Sequence, residues 1–420
     1  MMVDTLIIGG GLAGASTLYE LASRGVETLL VEAGDELATG ASFANGSMLT
    51  PSMADPWNGP GVAAQLLASL TDPRSAIKLR LAQVPDLAIW GLRFLSHSSW
   101  RRHADSTVAN FRLARYSLEH TLRLDQKLGL SALAQRRGSM KIFAHEAAMD
   151  RPLKLARLLD GLAFDVLDAD AAVTVEPALE AIKGRIACAI HYPDDAVGDA
   201  RLFVERIASA ARQLGGLVRL NATVRKLYAG TGDFHVDLGD ASLTARRVVI
   251  AAGSASAKLA SAQGVARPIR PAKGYSLTYP LPAGLASPSI PVVDDALHAA
   301  VIPLGDRIRV AGTAEFAGHD RTLDPRRVEN LAMLLARLYP ELAPQLDAPA
   351  AQAWTGLRPM SADGRPFIGE TATPGLWINA GHGHLGWTMA AGSARLLADL
   401  MLARPPDIDP RPYALGRYRT

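Results

Sequence analysis

The stretch WTGLRPMSADGRPFIG, residues 354–369, sets Arg358 between Leu357 and Pro359. A guanidinium presents a planar fork that matches a carboxylate and stays charged at any working pH. Among Leu357, Pro359 and Met360 it is poorly solvated and needs an anion. Two partners satisfy that need: a small-molecule carboxylate, or one of the chain's own acids in a structural ion pair. Nearby, GHGHLG (residues 381–386) carries His382 and His384, which titrate near neutrality and suit either proton transfer or loop packing. HExxH and GxSxG motifs and acidic clusters at ligand spacing are absent, so the sequence offers no metal or nucleophile constellation.

A second set of residues points to a dinucleotide. VDTLIIGGGLAGASTLYELASRGVETLLVEAG reads as strand, glycine-rich turn, helix and strand. Residues 3–8 are an apolar run, and Gly9, Gly11 and Gly14 form G-x-G-x-x-G at its end. Gly9 permits the tight turn, Gly11 lets a pyrophosphate approach the backbone, and Gly14 lets helix and strand pack closely. Ala15, Leu18 and Ala22 follow at helical spacing, and Gly25 closes the helix. Thr28 to Val31 is a second strand ending at Glu32, placed to take both hydroxyls of an adenosine ribose and to repel a 2′-phosphate. NAD and FAD both remain open at this point.

The elements that must position these groups alternate along the chain. Small and turn-forming residues fill 33–61, and residues 62–127 read as helical, mixing apolar residues with Arg74, Lys78, Arg80, Arg93, Arg101 and Arg102. Short strands are expected within 138–193. Asp199 caps a helix bearing Leu202, Phe203, Ile207, Ala210 and Leu214, ended by Gly215 and Gly216. Strands follow at 217–221, 224–229, 234–238 and 242–245, then a buried strand at 247–253. The stretch 268–318 is mostly β. Asp324 caps a helix to residue 338 with a Leu331, Leu334, Leu335, Leu338 stripe.

The C-terminal part repeats the logic of the first strand and turn. A strand at 376–380 enters the loop Gly381–Gly386, and a helix follows with Ala390, Ala394, Leu397 and Met401 on one face. Its free N–H groups and partial positive charge, set against the N1–C2=O edge of an isoalloxazine, would stabilise a reduced flavin. The fold expectation is an α/β FAD-binding Rossmann-like domain interleaved with an α+β substrate domain containing a mixed or antiparallel sheet. Residues 1–75, 195–258 and 352–420 make the first, and 76–194 and 259–351 the second.

Bulk properties agree with a globular chain. It has 420 residues, 49% hydrophobic, enough for two or three cores. A net charge of +3 with dispersed cations gives no nucleic-acid footprint. Cys188, the single cysteine, rules out an intrachain disulfide and fits a reducing compartment. The N-terminus lacks secretory features, and no window reads as a spanning helix. A cytoplasmic location is expected. The apolar-plus-basic stretch 62–103 leaves open a peripheral contact with the inner face of the plasma membrane, beside the alternative of a solvated cap on the substrate domain.

The blocks GGGLAGAS, SFANGSMLTP…PWNGPGV, PAKGYSLT, WTGLRPMSADGRPFIG and NAGHGHLGWTMAAGS occur in order from residue 9 to 393. In these the chain resembles the glycine/D-amino acid oxidase superfamily of FAD enzymes, and among them the bacterial D-amino-acid dehydrogenases. The resemblance implies FAD, with Gly9, Gly11, Leu12, Ala13, Gly14, Glu32 and Ala33 at its ADP half. It puts Ser42, Asn45 and Gly46 beside the flavin and pyrophosphate, Val224 near the adenine, and Ala252 and Gly253 beside the dinucleotide. Gly383, His384, Leu385, Gly386 and Thr388 fall at the flavin edge. It also implies that Arg358 grips a substrate carboxylate and that Tyr275 adds a hydroxyl there, against the alternative of a strand tyrosine, while Lys273 faces solvent or the domain seam. Some relatives hold FAD through a cysteine in the C-terminal half; Cys188 lies far from that block, so non-covalent FAD is expected. The implied reaction is oxidative deamination of a D-amino acid, D-proline and hydroxy-D-proline included, with a quinone of the respiratory chain or oxygen as acceptor. A sarcosine-type secondary-amine oxidase and a flavin subunit of a multi-chain dehydrogenase are the alternatives.

Overall fold

The computed structural model describes residues 2–69, 77–135, 137–263, 269–297 and 299–418. Arg74 and the expected boundary at 75/76 lie outside them. The apolar runs of the first half form a sheet buried on both faces, as parallel strands require. Met2–Ile8 lies at its centre, parallel to Thr28–Val31 on one side and to Ser242–Ile250 on the other. Leu217–Arg219 extends one flank, and Leu376–Ala380 joins Ser242–Ile250 in parallel. Helix α1 (Leu12–Ala22), the Ala200–Gln213 helix and the Gly386–Met401 helix share one core cluster against this sheet.

Several expected boundaries move. Residues 242–245 and part of 247–253 form one strand, Ser242–Ile250. Its first half pairs antiparallel with Phe234–Asp237 and its end pairs in parallel with Leu376–Ile378, so the neighbour changes while the strand continues. The strands expected at 217–221 and 224–229 shorten to Leu217–Arg219 and Lys226–Ala229. Asp199 does cap its helix, accepting from the Arg201 and Leu202 amides, but Leu214 lies beyond the helix end and is exposed.

The stretch 62–127 is not continuously helical. It contains α2 (Val62–Ala68), a short strand Ile77–Leu79, α3 (Val84–Ser96) and α4 (Trp100–Leu128). Ile77–Leu79 is drawn into β structure by pairing with Ala314–Phe316, a tertiary partner that outweighs local propensity. The α4 helix, expected in the substrate domain, instead buries Leu113, Ala114 and Leu118 in the cluster that holds α1 and the Gly386–Met401 helix.

The second sheet has the order Gln352–Ser361, Ile269–Pro280, Arg307–Phe316, Ala299–Leu304, Val292–Asp294, Ser139–Phe143, Cys188–Tyr192, Asp165–Leu167. Asp324 caps the Pro325–Leu338 helix, whose four expected leucines pack on one face of this sheet. Gln352–Ser361, assigned from sequence to the dinucleotide domain, is an edge of this sheet, paired along its length with Ile269–Pro280.

Two packing points give predictions. A Cβ on Gly392 would lie 2.6 Å from Ser117 Cβ on α4, and the Gly392 amide donates to Ser117 Oγ at 2.9 Å. Gly392→Ala should therefore cost about 1–3 kcal/mol by overpacking, read as a lower Tm. Burial alone would raise the Asp363 carboxyl, but Arg417 (Nε 2.7 Å) and Arg365 (Nε 3.0 Å) hold it well below the usual carboxylate range. A lowered folded pKa contributes stability that is complete above the unfolded value of about 4 and is lost as pH falls through the folded one. Asp363→Asn should cost about 3–5 kcal/mol at neutral pH. In urea unfolding at a series of pH values, the gap to the parent should narrow below about pH 4.

Candidate active site

A cavity of about 1060 Å³ runs between the two sheets, from the first glycine turn to Arg358. Ligand cavities of about 300–1,000 Å³ are usual, so this one has room for a large ligand. It is lined by Gly9, Gly11, Leu12, Ala13, Glu32, Ala33, Ser42, Asn45, Gly46, Val224, Ala252, Gly253, Gly383, His384, Leu385 and Gly386, with Tyr275 and Arg358 at its border. The chain thus brings together segments that lie far apart in sequence.

At one end the geometry suits a dinucleotide. Gly9 has φ +114°, and a Cβ there would lie 2.7 Å from the Ala251 carbonyl oxygen. Gly14 does not line the cavity; a Cβ on it would overlap the Gly9 carbonyl, so its role is the close approach of α1 to the turn. Glu32 accepts from the Gly10 amide at 2.5 Å and the Gly34 amide at 2.9 Å, which fixes the carboxylate at the cavity wall. Ser42 Oγ accepts from the Leu12 amide at 3.1 Å and ties the 42–47 loop to the first turn of α1.

At the other end stands Arg358. Side chains alternate along a strand, and Ala272, Gly274 and Ser276 directly oppose Arg358, Gly356 and Trp354. These six residues therefore share one face. A Cβ on Gly274 would overlap the guanidinium, so glycine here makes the space that Arg358 occupies. Arg358 Nη1 donates to the Thr313 carbonyl at 3.1 Å, and its Cζ lies 5.4 Å from the Trp57 ring centroid. Thr313 has φ +56°, a strained conformation for a β-branched residue that aims this carbonyl. Among the described residues no carboxylate pairs with Arg358. Burial lowers its pKa to about 10, which leaves it cationic at neutral pH.

The two histidines are neutral neighbours. His384 stacks on Trp57 at 5.4 Å with 18° between planes, and its Nε2 lies 3.2 Å from the Met53 carbonyl. Burial pushes its pKa down, and pushes that of His382, whose Nε2 lies 3.1 Å from Ser393 Oγ, down to about 4.

Three residues sit differently from expectation. Tyr275 is on the opposite face of the strand from Arg358: it belongs to the core cluster that holds Leu331, Leu334 and Leu335, and its hydroxyl donates to Glu315 at 2.9 Å. Lys273, expected at solvent or a seam, is fully buried on that same face and pairs with Asp320 at 3.2 Å, beside Glu315. Both acids also bind Arg80. Thr388 does not reach the cavity; its Oγ1 accepts from the Thr50 amide at 3.1 Å. Cys188 is buried in the second sheet and is not part of the lining.

Other contributors escaped the sequence reading. Arg309, buried, donates to Ser47 Oγ at 2.7 Å, the Asn45 carbonyl at 3.2 Å and Thr278 Oγ1 at 3.0 Å, holding the 45–47 loop to the second sheet. Nothing in its local sequence marks it. Gly274 and Trp354, by contrast, lie inside the conspicuous blocks KGY and WTGLRP. Among the described residues no group of acidic, cysteine and histidine side chains could hold a metal ion.

Gly14→Ala should push α1 off the turn and empty the site of dinucleotide. The check is the absorbance of cofactor retained after purification, with circular dichroism confirming a folded chain.

Residues 4–400 match the family described as FAD dependent oxidoreductase (DAO). A D-amino acid dehydrogenase of Chromohalobacter salexigens is 34% identical over 420 residues, covering 99% of this chain and all of that one. Among solved structures, glycine oxidase from Geobacillus kaustophilus superposes with a TM-score of 0.77 at 24% identity, covering 99% of both chains. L-proline dehydrogenase from P. horikoshii gives 0.77 at 17% identity over 100% of this chain and 98% of that one. The glycine cradle, Glu32 and the long cavity fit the cofactor that such a family requires. The chain belongs to the DAO family of FAD-dependent oxidoreductases.

Proposed function

We propose that this chain oxidises a D-amino acid to an imino acid, which water hydrolyses to a 2-oxo acid and ammonia. The observation that carries this reading is Arg358, a half-buried cation at the cavity end without a carboxylate partner among the described residues. A substrate carboxylate supplies the missing anion, and the fork of the guanidinium fixes its orientation. Gly274 and the Thr313 carbonyl hold the fork in place, so the Cα–H bond is presented in one direction. Bound FAD supplies the two-electron acceptor for the hydride of that bond. His382 and His384 stay neutral near pH 7, so the amine end of the substrate meets no second cation from them, and neither is assigned as the base. The D-amino acid dehydrogenase relative supports the substrate class. Cyclic D-imino acids such as D-proline or hydroxy-D-proline present the same carboxylate and Cα–H and would give a cyclic imine without release of ammonia; the acceptor in either case is a quinone of the respiratory chain or oxygen.

The test is anaerobic addition of single D- and L-amino acids while the visible flavin absorbance is followed. Bleaching by D-isomers alone is the expected result; bleaching by L-isomers alone, or by none, overturns the reading. Arg358→Ala should raise KM about a hundredfold or more with FAD still bound, the loss of a charge-assisted pair. Gly274→Ala should raise it about tenfold to a hundredfold by displacing the guanidinium. An unchanged KM in both variants would remove Arg358 from the carboxylate site.

A further inference from the structure

The second sheet also holds a fully buried guanidinium, that of Arg309, and among the described residues no carboxylate meets it. Its three donations go to neutral oxygens: Ser47 Oγ at 2.7 Å, the Asn45 carbonyl at 3.2 Å and Thr278 Oγ1 at 3.0 Å. Asp199, the acid whose field reaches it, is engaged by Arg307 at 3.0 Å and by the Arg201 and Leu202 amides. Burial pushes the Arg309 pKa down to about 10, so the side chain remains cationic at neutral pH. A neutral amide donor would tie a loop to a strand at a lower desolvation cost. What the guanidinium adds is a field that neutral oxygens do not cancel.

Strand register fixes where that field falls. Thr278 opposes Arg309 and Ser276 opposes Ala311, so these four share the face that also carries Gly274, Ala272 and Arg358. Residues 44–47 lie on this face: Ser276 Oγ donates to the Ala44 carbonyl at 2.7 Å, and a Cβ on Gly46 would lie 4.0 Å from the Ala311 side chain. Ala44, Asn45, Gly46, Ser47 and Ala311 all line the cavity, whereas Arg309 stands one loop behind it. Among the described lining residues the one acid is Glu32, fixed at the first glycine turn by the Gly10 and Gly34 amides. The loop leaves Ser42, tied to the Leu12 amide, and leads to Met53, whose carbonyl His384 contacts beside Trp57 and Arg358. An FAD held at the glycine turn with its ring toward Arg358 therefore passes along residues 44–47.

We propose that Arg309 tunes the bound FAD, its fixed charge behind residues 44–47 raising the reduction potential of the flavin. A hydride brings two electrons and one proton, so the ring gains one negative charge on reduction. A cation held in a low-dielectric wall favours that form, and it needs no rearrangement to do so. Arg309 does not line the cavity, so it acts through space and through the loop rather than by contact. The inference rests on FAD occupying the cavity and not on which amino acid is oxidised.

The experiment is the midpoint potential of the FAD-loaded protein, from dithionite titration against a reference dye with no substrate present. Arg309→Met should shift the equilibrium about tenfold to a hundredfold toward the oxidised form, a fall of about 30 to 60 mV for a two-electron couple. Arg309→Lys keeps the charge and should stay near the parent. Thr278→Asp sets a carboxylate against the retained guanidinium and should lower the potential as Arg309→Met does, whereas Thr278→Asn should not. The parent's potential in Arg309→Met overturns the proposal. An equal fall in Arg309→Met and Arg309→Lys overturns it too, by assigning the residue to loop geometry alone. If Arg309→Met retains no FAD, the two Thr278 variants decide, and equal potentials in them overturn the proposal. The potential is read without an amino acid, so its failure is distinct from a failure of the substrate assignment.

Discussion

A half-buried guanidinium with no carboxylate beside it among the described residues is the constraint around which this molecule is arranged. An isolated buried charge costs several kcal/mol unless dipoles and π faces surround it. The chain meets this with the Thr313 carbonyl, the Trp57 ring and a glycine on the facing strand. Each is held from elsewhere. Thr313 sits in a left-handed conformation within the Arg307–Phe316 strand, and Trp57 is stacked on His384 from the C-terminal loop. The partial satisfaction that results leaves room beside the guanidinium, which the proposed substrate carboxylate would take.

The same need explains why the site lies between two sheets. The first sheet ends in glycine turns whose amides and small residues admit a dinucleotide; the second ends in the strand that carries Arg358. Arg309 and Ser42 join the two halves through the 42–47 loop, by two donations from the guanidinium and one acceptance by the hydroxyl. Oxidation of a bond in one molecule by another requires both to be held against each other, and neither sheet alone could do so. The α3 helix backs this arrangement from outside, Trp90 donating to the Met360 carbonyl.

Much of this was legible in the residues. G-x-G-x-x-G after an apolar run, with Glu32 at the end of the next strand, marks the dinucleotide end because Gly9 and Gly14 answer steric demands that any Cβ would violate. Arg358 was legible from its apolar neighbours. The helix caps at Asp199 and Asp324 were legible because a carboxylate before an apolar stripe has one favourable use, binding free helix amides. Such features depend on residues within one or two turns of each other.

What the residues alone could not decide depended on partners distant in the chain. Tyr275 lies next to Gly274 in sequence, yet the pairing of Gly274 with Gly356 puts Tyr275 on the far face, where Glu315 takes its hydroxyl. Lys273 is buried because Asp320 and Glu315 are brought to it, and α4 joins the dinucleotide half because Ser117 meets Gly392. The sequence by itself determined the cofactor turn, the helix starts and the presence of a cation among apolar neighbours, all set by local sterics and solvation. Only the tertiary structure decided which side chains share a face with that cation, because strand register is chosen by the packing of the whole sheet and a shift of one residue reverses every side chain.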